Sequence, residues 1–214
     1  MARSSSRHAA PGPTGLRRTA PHAVPMGRPR DRRIDAEVVD AVLAALRKGG
    51  YRAVTIDGIA RRVGRARSSV YRRWPSKRHL IAYAVVSELG EDPAADTGST
   101  RSDLEAAVGT LRRAFAGPLG AALPGLVADM AQDPTLAAII RAQVLAPRRR
   151  SMREALERAQ RRGEARGDLD VEAVLDMLTA PFYFRTLFGH APVSRSVMRS
   201  IVDYVLWLVA PRAG

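Results

Sequence analysis

Between positions 67 and 77 stand Arg67, Ser68, Ser69, Tyr71, Arg72, Arg73 and Lys77, seven side chains that donate hydrogen bonds, four of them cationic. Such a set is poorly suited to acid–base or nucleophilic chemistry, because guanidiniums stay protonated and hydroxyls without an adjacent base are weak nucleophiles. It is well suited to phosphate oxygens, and a guanidinium can also grip guanine O6 and N7 with two parallel bonds. The rest of the chain offers little else. It has no cysteine, and its four histidines (His8, His22, His79 and His190) show no pairing at helical spacing, so neither disulfides nor a metal site is expected. No phosphate-binding glycine loop, nucleophile elbow or clustered acid–base pair occurs, so the chain reads as neither an enzyme nor a cofactor carrier.

The charge is placed accordingly. The net charge is +14 over 214 residues, and residues 1–90 carry 19 Lys or Arg against 6 Asp or Glu, while residues 91–214 carry 16 against 15. A field concentrated in one part of a chain is the footprint of a surface that meets nucleic acid. Residues 1–30 contain no acidic residue, six arginines and five prolines, and no apolar period, which reads as a flexible basic tail. Within it Gly27-Arg28-Pro29-Arg30 is similar to the core of an AT-hook, in which Arg28 and Arg30 would lie in a narrow minor groove; a solvated linker is the alternative reading. With neither a secretory signal nor an apolar run long enough to span a bilayer, the expectation is a cytoplasmic protein without membrane contact.

The elements that must hold the basic cluster follow from apolar spacing. Ile34, Val38, Val42 and Leu46 predict a helix over residues 32–48, ended by Gly49-Gly50. Thr55 caps a second helix with Ile56, Ile59, Ala60 and Val63 on one face, and Gly64 supplies a left-handed turn. A third helix is expected from about Arg67 to Trp74, with Val70, Tyr71 and Trp74 inward and Arg67, Ser68, Ser69, Arg72 and Arg73 outward. Pro75 ends it, Ser76 caps a fourth helix, and Lys77 in that first turn opposes the helix dipole unless an anion is at hand. Two short helices joined by a glycine turn, the second with an arginine-rich outer face, describe a helix-turn-helix, against the alternative of a plain helical bundle with a solvated basic face.

Thr55-Ile56-Asp57-Gly58-Ile59-Ala60, Gly64, and Ser69-Val70-Tyr71-Arg72-Arg73-Trp74-Pro75-Ser76-Lys77 with Leu80 resemble the N-terminal domain of TetR-family transcriptional regulators over about residues 32–85. The resemblance implies that Arg67, Ser68 and Arg72 approach base edges, and that Thr55, Ser69, Tyr71, Arg73 and Lys77 contact phosphates. The sequence departs from the family at Arg65, where an apolar residue is usual, at Ala66, where a Ser or Thr cap is usual, and at His79, where Glu would complete a capping box.

Beyond a linker at about residues 91–100, helical patterns run over 102–116, 119–131, 134–146, 148–165, 171–188 and 194–209, with Pro124, Pro147 and Pro181 expected to break or kink their helices. The last helix is apolar on more than one side, which suggests that helices 171–188 and 194–209 form a homodimer interface, with burial in a monomer core as the alternative. The fold expected is all-α, divided into a tail (1–30), a three-helix helix-turn-helix DNA-binding domain (31–90) and a helical dimerisation and ligand-binding domain (91–214). Phe115, Leu126, Met130, Gln143, Val144, Met177, Phe182 and Tyr183 are candidates for its pocket, or for plain packed core, alongside Leu123, Ile140, Met152, Phe188 and His190. The function expected is a double-stranded-DNA-binding repressor, released from a palindromic operator by a small-molecule inducer. The alternative is a DNA-binding protein without such control, acting through its tail and protein contacts.

Overall fold

A computed structural model describes residues 32–90 and 94–212; Arg28 and Arg30 lie outside the described residues. Every regular element among these is helical: α1 (Arg32–Ala53), α2 (Ile56–Arg62), α3 (Arg67–Tyr71), α4 (Lys77–Leu89), α5 (Thr100–Ala116), α6 (Pro118–Met130), α7 (Pro134–Ile140), α8 (Ala146–Arg161), α9 (Val171–Phe188) and α10 (Arg195–Val209), with a π-helical turn, Arg141–Leu145, between α7 and α8. The helix starts follow local chemistry. Thr55, Ser76, Ser99, Asp133, Asp170 and Ser194 each accept a backbone N–H of the first turn that follows, satisfying a donor the helix itself leaves open.

Three expectations are corrected. α3 is five residues long rather than eight, and Arg72 to Trp74 form a turn in which the Arg73 and Trp74 amides both donate to the Val70 carbonyl. Pro124 and Pro181 sit inside α6 and α9 without ending either helix. Their missing donors are outweighed by burial on both sides, Leu123 and Leu126 in one helix and Leu178 and Phe182 in the other. Pro147 also ends nothing: the chain reaches it through the wider π turn, closed by the Ala146 amide donating to the Arg141 carbonyl.

α1 and α4 pack on each other and on α6, and α2 joins α1 to α3. α5 lies among α6, α8, α9 and α10, so its Leu104, Val108, Leu111 and Phe115 are covered from several directions. One apolar core therefore runs from Val38 of α1 to Val209 of α10. No described helix is long and apolar enough to cross a membrane.

Candidate nucleic-acid interface

The α2–α3 turn is set by backbone hydrogen bonds. Gly64 has φ +63°, the Arg65 amide donates to the Ala60 carbonyl (2.9 Å) and the Gly64 amide to the Arg61 carbonyl (3.2 Å). This paired closure needs a left-handed residue, which glycine adopts without a Cβ penalty. The three sequence departures have visible consequences. Arg65 stays exposed and pairs with Glu37 of α1 at 3.7 Å. Ala66 begins α3 with no side-chain cap. His79 donates its amide to Ser76 Oγ, and its Nδ1 lies 2.8 Å from the same oxygen, so the imidazole meets the cap's hydroxyl rather than the cap's backbone N–H that a capping-box glutamate would accept.

Val70 and Trp74 anchor α3 in the core, with the Trp74 ring tilted against Tyr83 at 5.3 Å between centroids. Tyr71, expected inward, is 37% exposed: one residue past the buried Val70 is a rotation of roughly 100°, and a helix this short leaves nothing to cover it. Arg67, Ser68, Tyr71 and Arg72 share the outer surface, with Ser69 half-buried at its edge. Arg72 Nη2 donates to Ser69 Oγ at 3.3 Å, a weak tie. Arg67 is held more firmly. Its Nε lies 2.9 Å from an Asp57 carboxylate oxygen, its Nη2 donates to Tyr71 Oη at 3.2 Å, and its guanidinium carbon sits 5.1 Å from the Tyr71 ring centroid. The Tyr71 hydrogen bond and the Asp57 charge both raise the Arg67 pKa above its ordinary value.

Arg73 is corrected. Expected outward, it turns back onto α1, where its Nη1 binds the Asp35 carboxylate in a half-buried pair, because the turn after α3 reverses the direction of its side chain. Lys77 is also half-buried, its ammonium 4.4 Å from the centroid of Tyr51, which follows the Gly49-Gly50 break in α1. Partial burial lowers the Lys77 pKa, with Arg52 acting in the same sense and Asp129 opposing. Thr55 is exposed, its hydroxyl accepting the Gly58 amide.

Sequence reading missed the residues that hold this surface. Asp35 and Asp57 stand in the first turns of α1 and α2, and nothing in their spacing marks them. Tyr51 hydrogen-bonds its hydroxyl to Asp129 of α6, and its ring lies where a Cβ on Gly125 would come within 2.2 Å of Cγ. Burial first, then the Asp129 hydrogen bond and charge, raise the Tyr51 pKa well above its ordinary value. At the other side of the first turn of α4, Arg78 pairs with Asp133 at 3.0 Å and His79 approaches the same carboxylate at 3.9 Å. The α6–α7 corner thus grips the start of α4, the helix that follows α3. An aromatic next to a glycine pair was the one visible hint of this.

Two family models match the chain: residues 38–84 fit "Bacterial regulatory proteins, tetR family" and residues 94–205 fit "Tetracyclin repressor-like, C-terminal domain". The chain belongs to the TetR family of DNA-binding transcriptional regulators. It is 30% identical over 177 residues to the uncharacterised HTH-type transcriptional regulator YdeS of Bacillus subtilis, covering 82% of this chain and 89% of that one. It is 31% identical over 180 residues to the DNA-binding transcriptional repressor TetR of Mycobacteroides abscessus, covering 83% and 95%. Among solved structures it is similar to the TetR family transcription regulator SCO0332, with a TM-score of 0.63, 31% identity, and 83% and 99% of the two chains covered.

In this TetR-family chain the eight pocket candidates are spread out. Phe115, Leu126, Val144 and Phe182 are buried, Met130 and Tyr183 half-buried, and Gln143 and Met177 exposed. Phe115 gathers Phe182 (5.8 Å) and, edge-on, Tyr183 (4.8 Å), a packed aromatic cluster between α5 and α9. Leu126 and Val144 belong to the same continuous core, and none of the eight lines the cleft of about 340 Å³ beside α1, α4, α5 and α8.

Proposed function

We propose that the chain is a homodimeric repressor that places two copies of α3 in successive major grooves of a palindromic operator and lets go when a small molecule occupies its C-terminal helices. The observation that carries this reading is the two-sidedness of α3. Val70 and Trp74 are sealed in the core while Arg67, Ser68 and Arg72 face outward from the same five-residue helix and its turn. In the proposed complex Arg67 and Arg72 read guanine edges, and Ser68 lies against the bases between them. Thr55, Ser69, Tyr71 and Lys77 hold phosphates, while Arg73, tied to Asp35, positions the segment.

One reading segment of this size spans too few base pairs, so two must be held about 34–36 Å apart. The second observation behind the proposal is a strip of exposed large apolar side chains on the last two helices: Met177, Phe184 and Phe188 on α9, with Tyr204 and Trp207 on α10. Exposed large aromatics gathered on two helices that pack together mark an association surface. The repressor sense is supported by the M. abscessus relative. Selection of bound duplexes from a random pool tests the reading: the expected product is an inverted repeat with half-sites about one helical turn apart. A pool that stays random, or a non-repeated motif, overturns it.

A further inference from the structure

Three contacts hold the Arg67 guanidinium: Asp57 of α2 faces its Nε at 2.9 Å, the Tyr71 hydroxyl accepts an Nη2 hydrogen at 3.2 Å, and the Tyr71 ring centroid lies 5.1 Å from its central carbon. Asp57 is the single acidic residue between positions 55 and 78, a stretch with eight Lys or Arg. Its pair with Arg67 leaves both side chains more than half exposed, and an ion pair so open to water adds little to the stability of the fold. A carboxylate beside phosphates also weakens the grip on every duplex by like-charge repulsion. What the pair does change is direction. With Nε turned to Asp57 and one Nη2 hydrogen given to Tyr71, the two Nη1 hydrogens and the second Nη2 hydrogen make up the free end of the fork. That end sets two nitrogens side by side, the arrangement that guanine O6 and N7 accept. The Tyr71 oxygen accepts from Arg67 while its own hydrogen remains for a phosphate, so one side chain links the base-reading group to the register on the backbone.

We propose that Asp57 and Tyr71 are positioning residues that preset the Arg67 guanidinium for one guanine, Asp57 trading affinity for duplexes in general against discrimination at that base pair. A long side chain loses rotamer freedom when it binds, and a guanidinium already held in place loses less. This deepens the operator reading proposed above and rests on it. Within that reading it assigns the residues that set how sharply Arg67 discriminates.

The experiment is anisotropy titration of the full chain on the selected operator, on operators altered at each half-site base pair in turn, and on an unrelated duplex. Arg67→Ala locates the base pair, as the position where preference is lost. Asp57→Asn is expected to lower discrimination at that same pair by about two- to tenfold, the worth of one preordered side chain, and to bind the unrelated duplex more tightly than the parent does. Tyr71→Phe keeps the ring and removes the oxygen; it is expected to lose similar discrimination there and, without the phosphate donor, to bind all duplexes more weakly. In an Arg67→Ala background, Asp57→Asn is expected to leave discrimination unchanged. Asp57 also lies in the first turn of α2, where an acid favours the helix dipole. If that were its whole role, Asp57→Asn would lower the melting temperature and move all duplexes alike, and the proposal is overturned. Loss of preference in Arg67→Ala with none in Asp57→Asn removes the positioning role and leaves the base reading standing. An Arg67→Ala protein with every base preference intact removes the reading by Arg67, and the positioning role with it.

Discussion

Arg72 and Lys77 stand five residues apart and are assigned opposite duties, one reading and one holding. Arg72 is exposed and tied only weakly to Ser69, so its fork is available to a base pair. Lys77 is braced over Tyr51 at a helix start, where a phosphate would offset by its charge both the cost of partial burial and the opposition to the dipole. Arg72→Ala is expected to cost about 1–3 kcal/mol at the selected operator and to relax preference at one base pair. Lys77→Ala is expected to weaken binding to all duplexes alike and to shallow the salt dependence by about one unit. Anisotropy titrations on the operator and on single-base variants, across salt, separate the two; an Arg72→Ala protein with unchanged base preference removes the reading role. Arg72 and Arg73 are indistinguishable as neighbours in a sequence. Only the fold shows that one faces out while the other meets Asp35, contributed by a helix 38 residues earlier.

At the scale of elements, the helix order was legible because burial here follows period: Ile56, Ile59 and Ala60, then Gly64, then Val70 and Trp74 are all where spacing put them. The short α3 and the uninterrupted α6 and α9 were not legible, since the turn after Tyr71 and the cover over both prolines come from other helices. The same holds for the joint between α6 and the reading segment, built by Tyr51, Asp129 and Gly125 from distant parts of the chain. Gly125 is there because the Tyr51 ring fills the space a Cβ needs. Gly125→Ala is expected to push Tyr51 from its seat and lose about 1–3 kcal/mol of stability, roughly 2–4 °C of melting temperature for each kcal/mol in a chain of this length. Operator affinity falls with it, because Lys77 loses its platform. A scanning-calorimetry transition unchanged from the parent's contradicts that packing argument.

At the scale of the molecule, the proposed reading surface and the proposed dimer surface lie on different helices, and in that reading half-site spacing depends on both. Trp207 is 82% exposed and sits in the aromatic strip of α9 and α10. Trp207→Glu is expected to weaken self-association by about 2 kcal/mol or more, at least about thirtyfold, and to lower operator affinity at concentrations where the parent is dimeric. Sedimentation velocity reads the first effect directly, and a variant that associates like the parent moves the interface elsewhere. In the proposed complex, paired α3 segments meet guanine N7 in the major groove. Methylation interference tests this most directly. Methylating N7 of one or two guanines in each half-site, placed symmetrically, is expected to block binding, and Arg72→Ala is expected to remove one of those effects. Binding untouched by N7 methylation but blocked by methylation of adenine N3 in the minor groove would contradict it.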